Sequence, residues 1–180
     1  MHGPCRVRRL TPFAEYTPGG EQSSMAGPVT EASLSWVGGT RFEADGDGGA
    51  RLQIDVPVAK GGGGVGFSPM QLLLEALAAC MSVTVVQILA KQRLRLEQYE
   101  IRVRGERAEG PPNPYTRIVV EHRLAGEGLT RSNLERLVAM VEERYCSVAA
   151  TLPRGLIEHE VVILGEEPEA RSVAEASARH

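Results

Sequence analysis

The residues of this chain best suited to chemistry are Cys80 and Cys146, each embedded in an apolar stretch: LLLEALAACMSVTVV around the first, EERYCSVAATL around the second. A thiolate attacks peroxides and disulfides, and a second thiol can close a disulfide on a sulfenic acid formed by the first. Free cysteine is also among the most buried residue types and is often no more than core filling. The residues alone therefore leave two readings, core cysteines or a redox pair. In the second, Cys80 is oxidised first and Cys146 closes the bridge, which requires their segments to pack with Cα atoms within about 7 Å. The third cysteine, Cys5, lies in a Gly/Pro/Ser/Thr-rich stretch and is set aside as incidental. Three cysteines so widely spaced make neither a disulfide scaffold nor a zinc knuckle.

Other chemistry-bearing residues are less specific. His122 and His159 fall on the apolar faces of predicted strands with no further ligand at metal spacing, so they read as partly buried, hydrogen-bonded histidines, and no metal is expected. The glycine run Lys60 to Gly66, KGGGGVG, lacks the Lys-Ser/Thr ending of a phosphate-binding loop and reads as a flexible connection. Trp36 and Tyr145 read as packing residues, although Tyr145 adjoins Cys146 and could line a pocket.

The element that positions Cys80 is a long helix, Ser68 to Lys91. Ser68 suits the N-cap and Pro69 the first helical position, where its missing N–H costs nothing. Between Leu72 and Ala90 only Glu75, Ser82, Thr84 and Gln87 are polar, and they form no wide wet face. Leu72, Ala76, Ala79, Val83 and Val86 fill one side, with Leu73, Leu77 and Ile88 well round the cylinder. Such a helix has to be covered nearly all round, by a sheet on one side and by a second helix or a partner subunit on the other. The polar interruptions speak for a core helix rather than a membrane span, which needs about 20 mostly apolar residues.

The elements around it follow from alternation and punctuation. Strands are expected over Thr30 to Trp36, Arg41 to Ala44 and Arg51 to Val58, forming a meander; over Tyr99 to Arg107 and Tyr115 to Leu124, forming an antiparallel hairpin; and over Ile157 to Leu164. An amphipathic helix from Thr130 carries Leu134, Leu137, Val138, Val141 and Tyr145, and Ser147 to Leu152 reads as a short helical piece. The fold class is α+β, with antiparallel strands in the order β-β-β-α-β-β-α-β and two helices on one face. Residues 1–28 read as a mobile extension, 29–164 as the folded domain and 165–180 as a polar tail. Met25, just ahead of the first patterned segment, is a candidate natural start.

Composition sets outer bounds. With 42% hydrophobic and 24% charged residues in 180, the chain can build one sizeable core. A net charge of −3 and no basic stripe give no footprint for nucleic acid. Arg6, Arg8 and Arg9 are followed by no apolar segment of signal-peptide type, so the cytoplasm is the expected compartment.

Three stretches together resemble one known family. SPMQLLLEALAAC (Ser68 to Cys80) opening a long helix, a hairpin strand containing GERAEG (Gly105 to Gly110), and EERYCSVAATL (Glu142 to Leu152) are similar to the OsmC/Ohr proteins, and most to the YhfA-like branch. The resemblance spans about Ala32 to Leu164. It implies an intertwined homodimer with the two central helices at its heart and an active site at each end of the interface. It also implies a thiol peroxidase acting on organic hydroperoxides, with Cys80 peroxidatic and Cys146 resolving. An external dithiol or lipoyl group would be the reductant, without metal or bound organic cofactor. In the hydroperoxide-resistance branch an Arg from the N-terminal strands and a Glu directly after the helix-opening Pro activate the thiolate. Here Met70 follows Pro69 and Gln71 comes next, so Arg41, with Arg51 as alternative, and Gln71 are the candidates for that task. Glu75, five residues before Cys80, is about 140° round the helix from it.

Two readings of another class use the same fold: a non-catalytic dimer binding a small apolar ligand, and a redox sensor whose Cys80–Cys146 disulfide alters a partner surface.

Overall fold

The computed structural model describes residues 29–165; the readings of Met25, Cys5 and the two terminal segments lie outside them. The compact unit described here begins at Ser33. It contains strands β1 (Ser35–Gly38), β2 (Arg41–Asp45) and β3 (Arg51–Ile54), helix α1 (Pro69–Lys91), strands β4 (Arg95–Arg107) and β5 (Tyr115–Glu127), helices α2 (Arg131–Arg144) and α3 (Ser147–Thr151), and strand β6 (Ile157–Ile163). The strands form two three-stranded sheets, β1-β2-β3 and β4-β5-β6. The fold is α+β with the expected element order, α3 being the short helical piece after Cys146.

The second sheet carries the core. Ile118, Val120, His122 and Leu124 alternate on one face of β5 and are fully buried, the period-2 consequence of strand geometry. Onto this face pack Leu77, Met81, Val85 and Leu89 of α1 and Leu134, Leu137, Val138 and Val141 of α2, so both helices share one side of the sheet. Those α1 residues are spaced by four and form one stripe. Ala76, Ala79, Val83 and Val86 lie off it and are exposed. Thus α1, though long and apolar enough to cross a membrane, is a core helix on one face and an open apolar surface on the other.

The helix ends form as their residues dictate. The Ser68 side chain accepts from the Gln71 amide at 3.3 Å, with Pro69 opening α1. Thr130 caps α2 through the Asn133 amide. Tyr115 ties the start of α1 to the sheet, its hydroxyl donating to the Met70 carbonyl at 2.8 Å. Its ring lies against Gly105, where a Cβ would come within 2.2 Å of it.

Several boundaries depart from the sequence expectation. The first strand is Ser35–Gly38 rather than Thr30 to Trp36, and β3 stops at Ile54 instead of running to Val58. Asp55 is the reason for the second. Its buried carboxylate accepts from Thr40 Oγ1 (2.6 Å) and from the amides of Val56 (2.8 Å), Gly63 (2.9 Å) and Val65 (3.3 Å), which turns the chain out of the sheet. The glycine run is accordingly a wound loop held on Asp55, not a slack connection. Gly62 and Gly66 leave no room for side chains, because a Cβ would lie 2.0 Å from the Val56 carbonyl oxygen and 2.2 Å from that of Gln53. The hairpin strands are longer than expected, beginning at Arg95 and ending at Glu127. The last strand corrects the all-antiparallel expectation, since β6 pairs with β5 in parallel. The crossover through α2 and α3 returns the chain to the same end of the sheet, and a strand entering from there runs alongside its neighbour.

Candidate active site

Cys80 and Cys146 are brought together. Cys80 sits partly exposed midway along α1, packed against the core cluster that includes Cys146. Cys146 is 1% exposed and lies between α2 and α3, its own amide donating to the Val141 carbonyl at 2.9 Å. It is the N-cap of α3, and its Sγ accepts from the Ala149 amide at 3.3 Å. Both are free thiols.

The two sulfurs differ in environment. Burial raises the Cys146 thiol above its ordinary range, and the neighbouring Cys80 thiol adds to this by hydrogen bonding. The Ala149 and Val148 amides act in the opposite direction but do not win. Desolvation penalises a thiolate held among Leu, Val and Ala side chains. Cys146 is therefore a protonated, shielded thiol at neutral pH, while Cys80 is the one a solute can reach. A partly exposed cysteine beside a buried one suits a two-thiol redox cycle.

The candidate activating residues have surroundings of their own. Arg41 is exposed on β2 and lines a small cleft with Val37, Phe42, Gln53 and Val65. Arg51, its alternative, is engaged by Asp45 in an exposed ion pair at 3.3 Å. Gln71 lines a groove with Leu74, Glu75, Arg102 and Val103; nine residues before Cys80, it is about half a turn away round the helix and some 13 Å along it. Glu75 opens onto that same groove, as its position on the helix implied. Trp36 and Tyr145 depart from their packing expectation, being 68% and 56% exposed. The indole N–H of Trp36 instead closes the β1–β2 turn on the Gly39 carbonyl at 3.0 Å, and Tyr145 stands at the C-cap of α2.

His122 and His159 are buried or nearly so and hydrogen-bonded, as expected, but to each other. His122 Nε2 lies 3.3 Å from His159 Nδ1, His122 Nδ1 lies 2.7 Å from the Tyr99 hydroxyl, and His159 Nε2 lies 2.9 Å from Glu142 Oε2. Sequence reading missed this row because each member sits on a different element. The available signal was polar residues at core-facing positions of neighbouring strands.

The geometry agrees with comparisons against known proteins. The family model described as OsmC-like protein matches residues 61–161, which include both cysteines. Protein YhfA of Escherichia coli K12 is 30% identical over 126 residues, covering 70% of this chain and 91% of YhfA. The crystal structure of a hypothetical protein from Aquifex aeolicus VF5 superposes with a TM-score of 0.66 at 28% identity, over 78% of this chain and 99% of that one. An OsmC-like protein from Mycoplasma pneumoniae has the same fold, with a TM-score of 0.62 at 18% identity over 76% of this chain and 96% of its own. The chain belongs to the OsmC-like family, on the branch of the YhfA proteins.

Proposed function

We propose that the protein is a thiol peroxidase that reduces organic hydroperoxides to alcohols. The observation that carries this is the partly exposed Cys80 set beside the buried, protonated Cys146. In the reaction the Cys80 thiolate attacks the terminal peroxide oxygen, the O–O bond breaks, and the departing alkoxide takes up a proton to leave as alcohol. Cys80 is then a sulfenic acid. Cys146 condenses with it, releasing water and closing a disulfide. An external dithiol, such as a dihydrolipoyl group, restores both thiols by exchange and is itself oxidised to a disulfide. The buried Cys146 thiol is protected from reaction with peroxide and reserved for this second step.

A second copy completes the site in this reading. The open side of α1, with Ala76, Ala79, Val83 and Val86, and the exposed Trp36 and Phe42 of the meander are the apolar surface a homodimer would cover. Arg41, which lines a cleft of its own sheet, would then be the cation for Cys80 of the other copy. Work in the cytoplasm, where thiols are kept reduced, fits this cycle.

The experiment is the second-order rate at which reduced protein consumes cumene hydroperoxide compared with hydrogen peroxide, followed by thiol titration and intact mass. Organic-selective consumption with loss of two thiols per chain and a mass lower by two hydrogens is the expected result. Rates no better than a free thiol would overturn it and leave a binding protein on this fold.

A further inference from the structure

A row of four polar side chains crosses the core, and it is independent of the thiols. Tyr99 on β4, His122 on β5, His159 on β6 and Glu142 on α2 follow one another at 2.7, 3.3 and 2.9 Å. His122, in the middle, is 0% exposed, and each end meets a surface depression. Tyr99 lines a groove with Ser82, Val83, Val86, Gln87 and Ile101, while Glu142 lines a cleft with Arg144, Ala150 and Arg154.

With both imidazoles neutral, donors and acceptors fix the direction of the chain. A carboxylate only accepts, so His159 Nε2 carries a hydrogen and His159 Nδ1 is bare. His122 must then donate from Nε2, which leaves its Nδ1 to accept the Tyr99 hydroxyl. In this state every hydrogen bond points from Tyr99 towards Glu142. The opposite direction is equally complete once one proton is added. His159, doubly protonated against Glu142, donates from Nδ1 to His122 Nε2; His122 donates from Nδ1 to the Tyr99 oxygen; and the Tyr99 hydroxyl donates outward.

We propose that Tyr99, His122, His159 and Glu142 form a reversible proton relay through the core, which turns the Tyr99 hydroxyl from donating inward to donating into the groove beside α1. The balance is one proton. It arrives on the Tyr99 oxygen as the hydroxyl passes its own proton to His122 Nδ1, His122 passes its Nε2 proton to His159 Nδ1, and the positive charge comes to rest next to the Glu142 carboxylate. His122 transmits the proton yet is uncharged in both end states. This agrees with its surroundings, where burial, followed by the adjacent His159, holds it well below the ordinary histidine range.

Of the other charges, Glu143, Arg144 and Arg154 share the cleft of Glu142, and those along the strands are held elsewhere. Glu121 and Arg123, flanking His122 on β5, take the opposite face of the strand and pair with each other. On β6, Glu158 and Glu160 likewise alternate away from His159, and Arg117 holds Glu158. On β4, Glu100 is paired with Arg102 and Arg123. From α2, Arg131 donates to the Val161 carbonyl, Arg136 bonds Asn133, and Glu135 lies on the helix face of Glu142, two turns away. Around Tyr99, α1 contributes Ser82, Val83, Val86 and Gln87, none of which titrates.

The test is long-range ¹H–¹⁵N correlation of the imidazole nitrogens in the full-length protein through an acid titration. At high pH, both histidines should show the Nε2–H tautomer. As His159 becomes doubly protonated, His122 should switch to Nδ1–H while staying neutral, with one shared midpoint. His122 keeping its Nε2–H tautomer while His159 ionises, or His122 itself becoming an imidazolium at that midpoint, overturns the relay.

Discussion

At the scale of single residues, what separates the two cysteines is access to water rather than residue type. Both were visible in the sequence, and so was their apolar setting, but which one is shielded depends on α3 and the end of α2 closing over Cys146. Alkylation of the reduced protein by iodoacetamide at neutral pH should modify Cys80 first, with Cys146 at least ~10-fold slower; mass mapping of early time points checks this. If the peroxidase cycle holds, Cys80→Ser should abolish turnover, and Cys146→Ser should stop after one turnover with a sulfenic acid that dimedone traps. His122 makes a second residue-scale prediction. Its folded-state value is lowered to about 3 from 6.5, chiefly by burial. The unfolded chain therefore takes up the proton first. The stabilisation is complete above pH 6.5 and is lost as pH falls towards 3, with an upper bound on the order of 5 kcal/mol. Urea midpoints measured between pH 7 and 4 should fall steadily, and less steeply in His122→Gln.

At the scale of elements, helices were more legible than strand ends. Capping chemistry is local, so Ser68-Pro69 and Thr130 announced the starts of α1 and α2. The end of β3 is set by Asp55, whose partners Thr40, Gly63 and Val65 are scattered along the chain, and alternation through Val56 and Val58 concealed it. Likewise the pairing of His122 with His159 is a property of strand order, which no spacing encodes. Two substitutions probe these contacts. Asp55→Ala should release the glycine loop, seen as faster amide exchange at Gly63 and Val65 with the β4–β5 hairpin unchanged. Gly105→Ala should force the Tyr115 ring away and loosen the start of α1, at a cost of about 1–3 kcal/mol in urea unfolding. Retention of full stability there would show that the ring moves freely.

For the whole molecule, the apolarity of α1 all round its circumference was the most informative feature of the sequence. It said that one sheet could not cover the helix, and within one chain Val83 and Val86 are left uncovered, since α2 packs on the same side as the sheet rather than on this face. Replacing both by Glu adds charge to the open face without touching the buried stripe. Under the dimer reading, sedimentation should show a monomer with the helical circular dichroism intact, whereas a dimer that survives both charges would place the interface elsewhere. The parallel placement of β6 has a consequence for biosynthesis. The β4–β5 hairpin is complete once Glu127 has been made, whereas the second neighbour of β5, Ile157–Ile163, follows only after α2 and α3. Cys80 is therefore made well before Cys146, and under the proposed cycle a nascent polypeptide meeting an oxidant in that interval would carry a sulfenic acid with no intramolecular partner to rescue it.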